Sequence, residues 1–123
     1  MQNDKEKFKK EFNKRLYALT LELIDVIDKL PKDNVSRRLG DQLLRSGTSV
    51  IGNYIEAQSA SSKKDYTNYF TTSLKSANES KLWLSLLKDT GRLQADSFER
   101  LLNELSEISN IFASSILTLK GKK

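Results

Sequence analysis

Apolar side chains recur in this sequence at spacings of three and four, in four separate stretches of similar length, and that pattern restricts the chain to helices packed on helices. The first stretch carries Phe8, Phe12, Leu16, Leu19, Leu23, Val26 (or Ile27) and Leu30. Pro31 follows at once and stops a helix, because it lacks an N–H and restricts the residue before it. The second carries Leu39, Leu43, Ser46 (or Gly47), Val50, Tyr54 and Ala57, and the serine-rich run Ser59 to Ser62 breaks it. The third carries Tyr66, Phe70, Ser73, Ala77, Leu84 and Leu87, widened by Leu74, Trp83 and Leu86, and Gly91 stands where a left-handed C′ residue belongs. The fourth carries Phe98, Leu101, Leu105, Ile108, Phe112, Ile116 and Leu119. No window alternates with period two for long enough to suggest a sheet.

These stretches predict helices over about 4–30, 36–60, 63–90 and 97–120. Asn34 or Ser36 is expected to cap the second, Ser62 with Asp65 the third, and Asp96-Ser97-Phe98-Glu99 the fourth as a capping box. Segments of about 25 residues are roughly 38 Å long. With only a few residues between them, neighbours in sequence should pack antiparallel. The expected fold is all-α, an antiparallel up-down-up-down four-helix bundle, with residues 1–123 forming one domain.

Only 37% of the residues are apolar and 30% are charged, so the core must be narrow. A chain of 123 residues can fold alone, but burial is modest and self-association would help it. Phe8, Phe12, Tyr54, Tyr66, Tyr69 and Phe70 exceed what one thin core needs, which favours a homo-oligomer. No stretch approaches the roughly 20 apolar residues of a membrane span. The opening Met1-Gln2-Asn3-Asp4-Lys5 has no apolar run behind it, as a signal peptide would. Cytoplasmic residence without membrane contact is the expectation.

The sequence contains neither His nor Cys. The common acid–base shuttle, the nucleophile–base pair and thiolate metal sites are therefore missing. There is no phosphate-cradling glycine loop and no acidic spacing for a two-metal centre. Glu56 and Glu79 would approach each other if the second and third helices packed in that register, but structural hydrogen bonding explains them better. No catalytic residue, metal or cofactor is expected.

The net charge is +5, from 21 basic and 16 acidic residues. Lys5, Lys7, Lys9, Lys10, Lys14 and Arg15 alternate with Glu6 and Glu11, as a solvated helix face does. Arg37-Arg38 and Lys63-Lys64 are better candidates for phosphate contact, being adjacent pairs near opposite ends of the second helix with little acid beside them. Arg45 joins them as a candidate, and Lys120, Lys122 and Lys123 make a short basic tail. Contacts of this kind produce salt-dependent, sequence-independent affinity.

The second helix departs from an ordinary core helix. Gly47 and Gly52 lie in its interior, each costing about 1 kcal/mol relative to Ala, and with Ser46, Thr48 and Ser49 they would let another backbone approach. Beside the apolar stripe runs a polar one, Gln42, Arg45, Ser49, Asn53 and Glu56. Spacing allows Arg45 to reach Ser49, and Asn53 to reach Glu56. The stripe reads as a solvated face, as a buried hydrogen-bond network that sets register, or as a ligand-facing surface.

The run from Gln42 to Ala57, with Gln42, Arg45, Ser49, Val50, Asn53 and Glu56 in place, resembles the signature of the four-helix-bundle family of 23S ribosomal RNA intervening-sequence proteins. The stretch from Ser73 to Leu87, with Ser76, Glu79 and the Trp83-Leu84 pair, is similar to that family's second characteristic segment. The likeness spans roughly residues 16 to 119. It departs at Ala57-Gln58, where many relatives have Glu-Gly followed by a basic residue, so no turn or basic contact is carried over there. The resemblance implies a non-enzymatic protein that assembles with itself, as the ring-shaped pentamers of related proteins do. It also implies RNA or a nucleoprotein as partner, since accessory proteins of diversity-generating retroelements are similar and bind nucleic acid. The competing expectation is a homo-oligomeric interaction scaffold with no nucleic-acid ligand.

Overall fold

The computed structural model describes residues 3–121, so Lys122 and Lys123 of the basic tail lie outside the described residues. Four helices make up almost all of it: α1 (Asp4–Asp28), α2 (Asn34–Gln58), α3 (Lys63–Asp89) and α4 (Ala95–Leu119). Contacts along the chain establish the direction of each helix. Ser46 meets Ser80 and Ser49 meets Ser76, so α2 and α3 run oppositely. The Tyr54 hydroxyl donates to the Lys9 carbonyl while Gly47 abuts Leu23, which makes α1 and α2 antiparallel. Asn78 meets Ser109 while Lys88 covers the Phe98 ring, and Arg15 pairs with Glu104 while Arg100 pairs with Glu22. The chain is an up-down-up-down bundle with α1 beside α2 and α4.

The helix starts differ from expectation where polar side chains compete. Asp33, rather than Asn34 or Ser36, caps α2: its carboxylate accepts from the Ser36 amide at 2.9 Å and from the Ser36 hydroxyl at 2.7 Å. Arg92, arriving from the end of α3, donates to both Asp33 and Ser36. The backbone and hydroxyl bonds from Ser36, with Arg92 behind them, lower the Asp33 carboxyl to about 2. Ser62 caps α3 as expected, accepting from the Asp65 amide at 3.1 Å. The box at Asp96–Glu99 does not form. Gln94 holds the cap position of α4 without a side-chain bond, and Asp96 falls inside the first turn, where a carboxylate favours the helix dipole. Gly91 closes α3 at φ 75°, with the Arg92 amide on the Leu87 carbonyl and the Gly91 amide on Lys88, a Schellman turn.

The middle of the core is aliphatic, with Leu16, Leu23, Leu43, Leu84, Leu101, Leu105 and Ile108 all buried. One end is aromatic. Phe112 sits edge-on to Phe12 and Phe70 with centroids at 5.4 and 5.3 Å, and Tyr54 closes the group 5.2 Å from Phe12. Phe12, Tyr54 and Phe70 are therefore spent inside one chain, and Tyr66 and Tyr69 are half-buried against them. Of the aromatics taken as surplus, only Phe8 is largely exposed, at 53%. Burial pushes the Tyr54 hydroxyl up to about 12, so it stays a neutral donor.

The two interior glycines of α2 differ in role. A Cβ on Gly47 would meet Leu23 Cδ1 at 2.8 Å, so Gly47 lets α1 approach. Gly52 faces open space. Gly52→Ala is expected to stabilise the fold by about 1 kcal/mol, since Ala loses less backbone entropy in a helix. Thermal melts should then shift upward by about 3–6 °C. A lowered melting temperature would mean that another surface packs on Gly52.

Candidate functional site

The α2–α3 seam is built from small polar residues. Ser46, Ser73, Ser76 and Ser80 are all buried there, and none of the buried polar side-chain atoms among the described residues lacks a hydrogen bond. Ser80 donates to the Ser76 carbonyl at 2.9 Å, which leaves its oxygen to accept from Ser46 at 2.7 Å. Ser76 donates to the Ser49 hydroxyl at 2.8 Å, and Ser73 to the Val50 carbonyl at 2.9 Å. Short side chains bring the two backbones together, and the bonds from Ser46 to Ser80, Ser76 to Ser49 and Ser73 to Val50 form only in this register.

The polar stripe of α2 continues this network outward. Arg45 does not reach for Ser49. Its guanidinium donates to Gln42 Oε1 at 2.8 and 3.0 Å and forms an ion pair with Glu79 of α3. Trp83 Nε1 donates to the same carboxylate at 3.2 Å. The Arg45 hydrogen bond, with that from Trp83, holds the Glu79 carboxyl below its usual range. Asn53 turns to Ser49, with Nδ2 at 2.9 Å from both its carbonyl and its hydroxyl, instead of to Glu56. Gln42, Arg45, Ser49 and Asn53 thus belong to a hydrogen-bonded seam. Glu56 is exposed and about three helical turns from Arg45, so it does not approach Glu79.

The basic candidates fall into three places. Arg37 and Arg38 are exposed at the Pro31 end, bonded to the Lys32 carbonyl and the Asn34 side chain. Arg45 is engaged by Glu79. Lys63 and Lys64 lie at the other end of the bundle, so the five residues do not form one surface. The fold instead brings Lys63 and Lys64 beside Lys120, around a cleft of about 350 Å³ that also includes Thr67, Asn68 and Leu119. None of the ion pairs among the described residues uses these three lysines. Lys120, the first residue of the short basic tail, comes beside Lys63 across α3 and α4, and no local spacing signals this.

Among the described residues no cluster of three or more acidic side chains could hold a metal, and no helix is long and apolar enough to cross a membrane. The fold and seam define the class: a four-helix bundle whose most connected polar residues bind one another. The chain belongs to the 23S rRNA-intervening sequence protein family, whose family model matches residues 9–114. No curated protein matches it. Among solved structures, it is similar to a protein of unknown function from the S23 ribosomal protein family of Bacteroides thetaiotaomicron. The two share 30% identity and a TM-score of 0.80, over 85% of this chain and 96% of that one.

Proposed function

We propose that this chain is a non-enzymatic, cytoplasmic accessory protein that self-associates and binds RNA through lysines at the aromatic end of the bundle. The observation that carries this reading is the meeting of Lys63, Lys64 and Lys120 around one cleft, where no carboxylate pairs with them. Phosphates attract such a cluster without regard to sequence. Arg37 and Arg38 would serve as a second, separate contact about one helix length away, and Arg45 is a weaker candidate because Glu79 already neutralises it. The family's association with ribosomal RNA insertions points the same way. Five copies, as in the pentamer the resemblance implies, would carry +25 at +5 each.

Binding of a structured RNA should weaken linearly in log–log form as salt rises, with a slope set by the number of phosphates contacted. Lys63→Gln with Lys64→Gln should make that slope shallower by about 1–2. No retention of RNA at low salt would remove this reading.

An interaction scaffold without nucleic acid is the second reading. Exposed apolar lines favour it: Tyr17, Leu21 and Ile24 along α1, and Leu44 and Ile55 along α2, each spaced for one helix face. Stoichiometric capture of a protein from nuclease-treated lysate, with no RNA binding, would support it. Either reading requires a mass above the 14.0 kDa of one chain in light scattering.

A further inference from the structure

The backbones of α1 and α4 approach each other least among neighbouring helices, and at the aromatic end a cleft of about 510 Å³ opens, lined also by Tyr54 of α2 and by Tyr66 and Phe70 of α3. That volume lies within the range of small-molecule sites. On the α1 side it is lined by Lys5, Phe8, Lys9 and Phe12, and on the α4 side by Ser115 and Thr118 among others. The cause of the opening is in the sequence. Counting back from Leu19, Leu16 and Phe12, the inward-facing positions of α1 fall on Phe8 or Lys9 and then Lys5. Aliphatic residues there would close the seam, but an ammonium group is not buried without a partner. None of the ion pairs among the described residues uses Lys5 or Lys9.

We propose that this cleft receives one unpaired base of a bound strand, stacked on Phe8, with its phosphate held by Lys5 and Lys9. The proposal rests on the RNA-binding reading and deepens it. The Phe8 ring already stacks on Phe12 at 5.8 Å and 14°, so a flat heteroaromatic ring extends an existing stack. The walls are aromatic, the rim carries two ammonium groups, and a base edge can meet the Ser115 hydroxyl and the Thr118 oxygen, whose own proton goes to the Ser114 carbonyl at 3.1 Å. An aliphatic chain would fill the apolar walls but would leave the ring stack and the hydroxyls unused. Leu119 lines both this cleft and the one between Lys63, Lys64 and Lys120, so the two adjoin and the strand's backbone has a cationic track leading in. Base–aromatic stacking tolerates any base, which suits a protein that binds phosphates without sequence preference.

The test uses the full chain with a short single-stranded RNA carrying 2-aminopurine, a duplex of the same sequence, free AMP, and a fluorescent fatty acid. Single-strand binding should quench the 2-aminopurine. Phe8→Ala should weaken single-strand affinity by about tenfold and leave duplex affinity unchanged, with only a small drop in the thermal melt because the ring is half exposed. Lys5→Gln with Lys9→Gln should weaken single-strand binding at low salt and reduce its salt dependence. AMP binding with the same Phe8 dependence would support the cleft's chemistry and show that a free nucleotide suffices. Wild-type single-strand binding that Phe8→Ala leaves unaltered overturns the cleft and spares the RNA reading. Absence of binding to both strand and duplex at low salt removes the RNA reading itself and the cleft with it. Fatty-acid binding that the oligonucleotide fails to displace, or a lower assembly mass in Phe8→Ala, overturns the proposal by assigning the cleft to an amphiphile or to a second copy.

Discussion

Phe112→Ala is expected to destabilise the bundle by about 3–5 kcal/mol, the range for truncating a fully buried aromatic. Phe112 has no exposed surface and contacts rings from every other helix: Phe12 of α1, Tyr54 of α2 and Phe70 of α3. Its removal loses the transfer free energy of the ring and the edge-to-face contacts, each worth roughly 0.5–1.5 kcal/mol. Collapse around the hole is hindered, because the three remaining rings come from three separate helices. Urea unfolding followed by circular dichroism measures the change in midpoint at constant slope. Tyr66→Ala, at the half-buried edge of the same group, should cost far less. Equal losses for the two would mean that the aromatic end is not the closed cluster described.

Ser80→Leu is expected to cost about 2–4 kcal/mol, by a different route. Ser80 is fully buried between α2 and α3, against Ser46, so added volume must push the backbones apart, typically about 1–3 kcal/mol. The substitution also removes the short bond to Ser46 and leaves that hydroxyl only the Leu43 carbonyl at 3.4 Å, a loss of about 1 kcal/mol. Ser80→Ala removes the same hydrogen bonds without overpacking and should cost only about 1 kcal/mol. The difference between the two variants isolates the steric part. If Ser80→Leu unfolds at the same urea concentration as the wild type, the seam is not closely packed.

Both residues show how much could be read in advance. Phe112 sits on a stripe of three- and four-residue spacing, and its burial follows from helix periodicity alone. Ser80, three residues after Ala77 and four before Leu84, falls on such a stripe too, but periodicity says nothing of what its hydroxyl would bond. The bonds of Ser76 to Ser49 and of Ser80 to Ser46 show which hydroxyls lock the register. Spacing along one helix likewise does not reveal the partners of Arg45 and Asn53. Ion pairing with Glu79 lies across the seam, and a neighbouring carbonyl at Ser49 outcompeted the Glu56 side chain for Asn53.

The cap of α2 shows the same limit at a finer scale. Asp33, Asn34 and Ser36 are all good capping residues, so local propensity could not separate them. Arg92 decided it by arriving from 59 residues away to bond Asp33 and Ser36 together. At the fourth helix a capping box was spelled out in sequence and went unused.

What the sequence determined by itself was the number of helices, their lengths, their punctuation and the apolar face of each, because those depend on spacing within a single turn-by-turn repeat. Tertiary structure alone decided which polar residues meet, which lysines share a cleft, and which end of the bundle stays open. Those outcomes depend on the register between helices, and register is set by side chains far apart in the chain that have no local pattern in common.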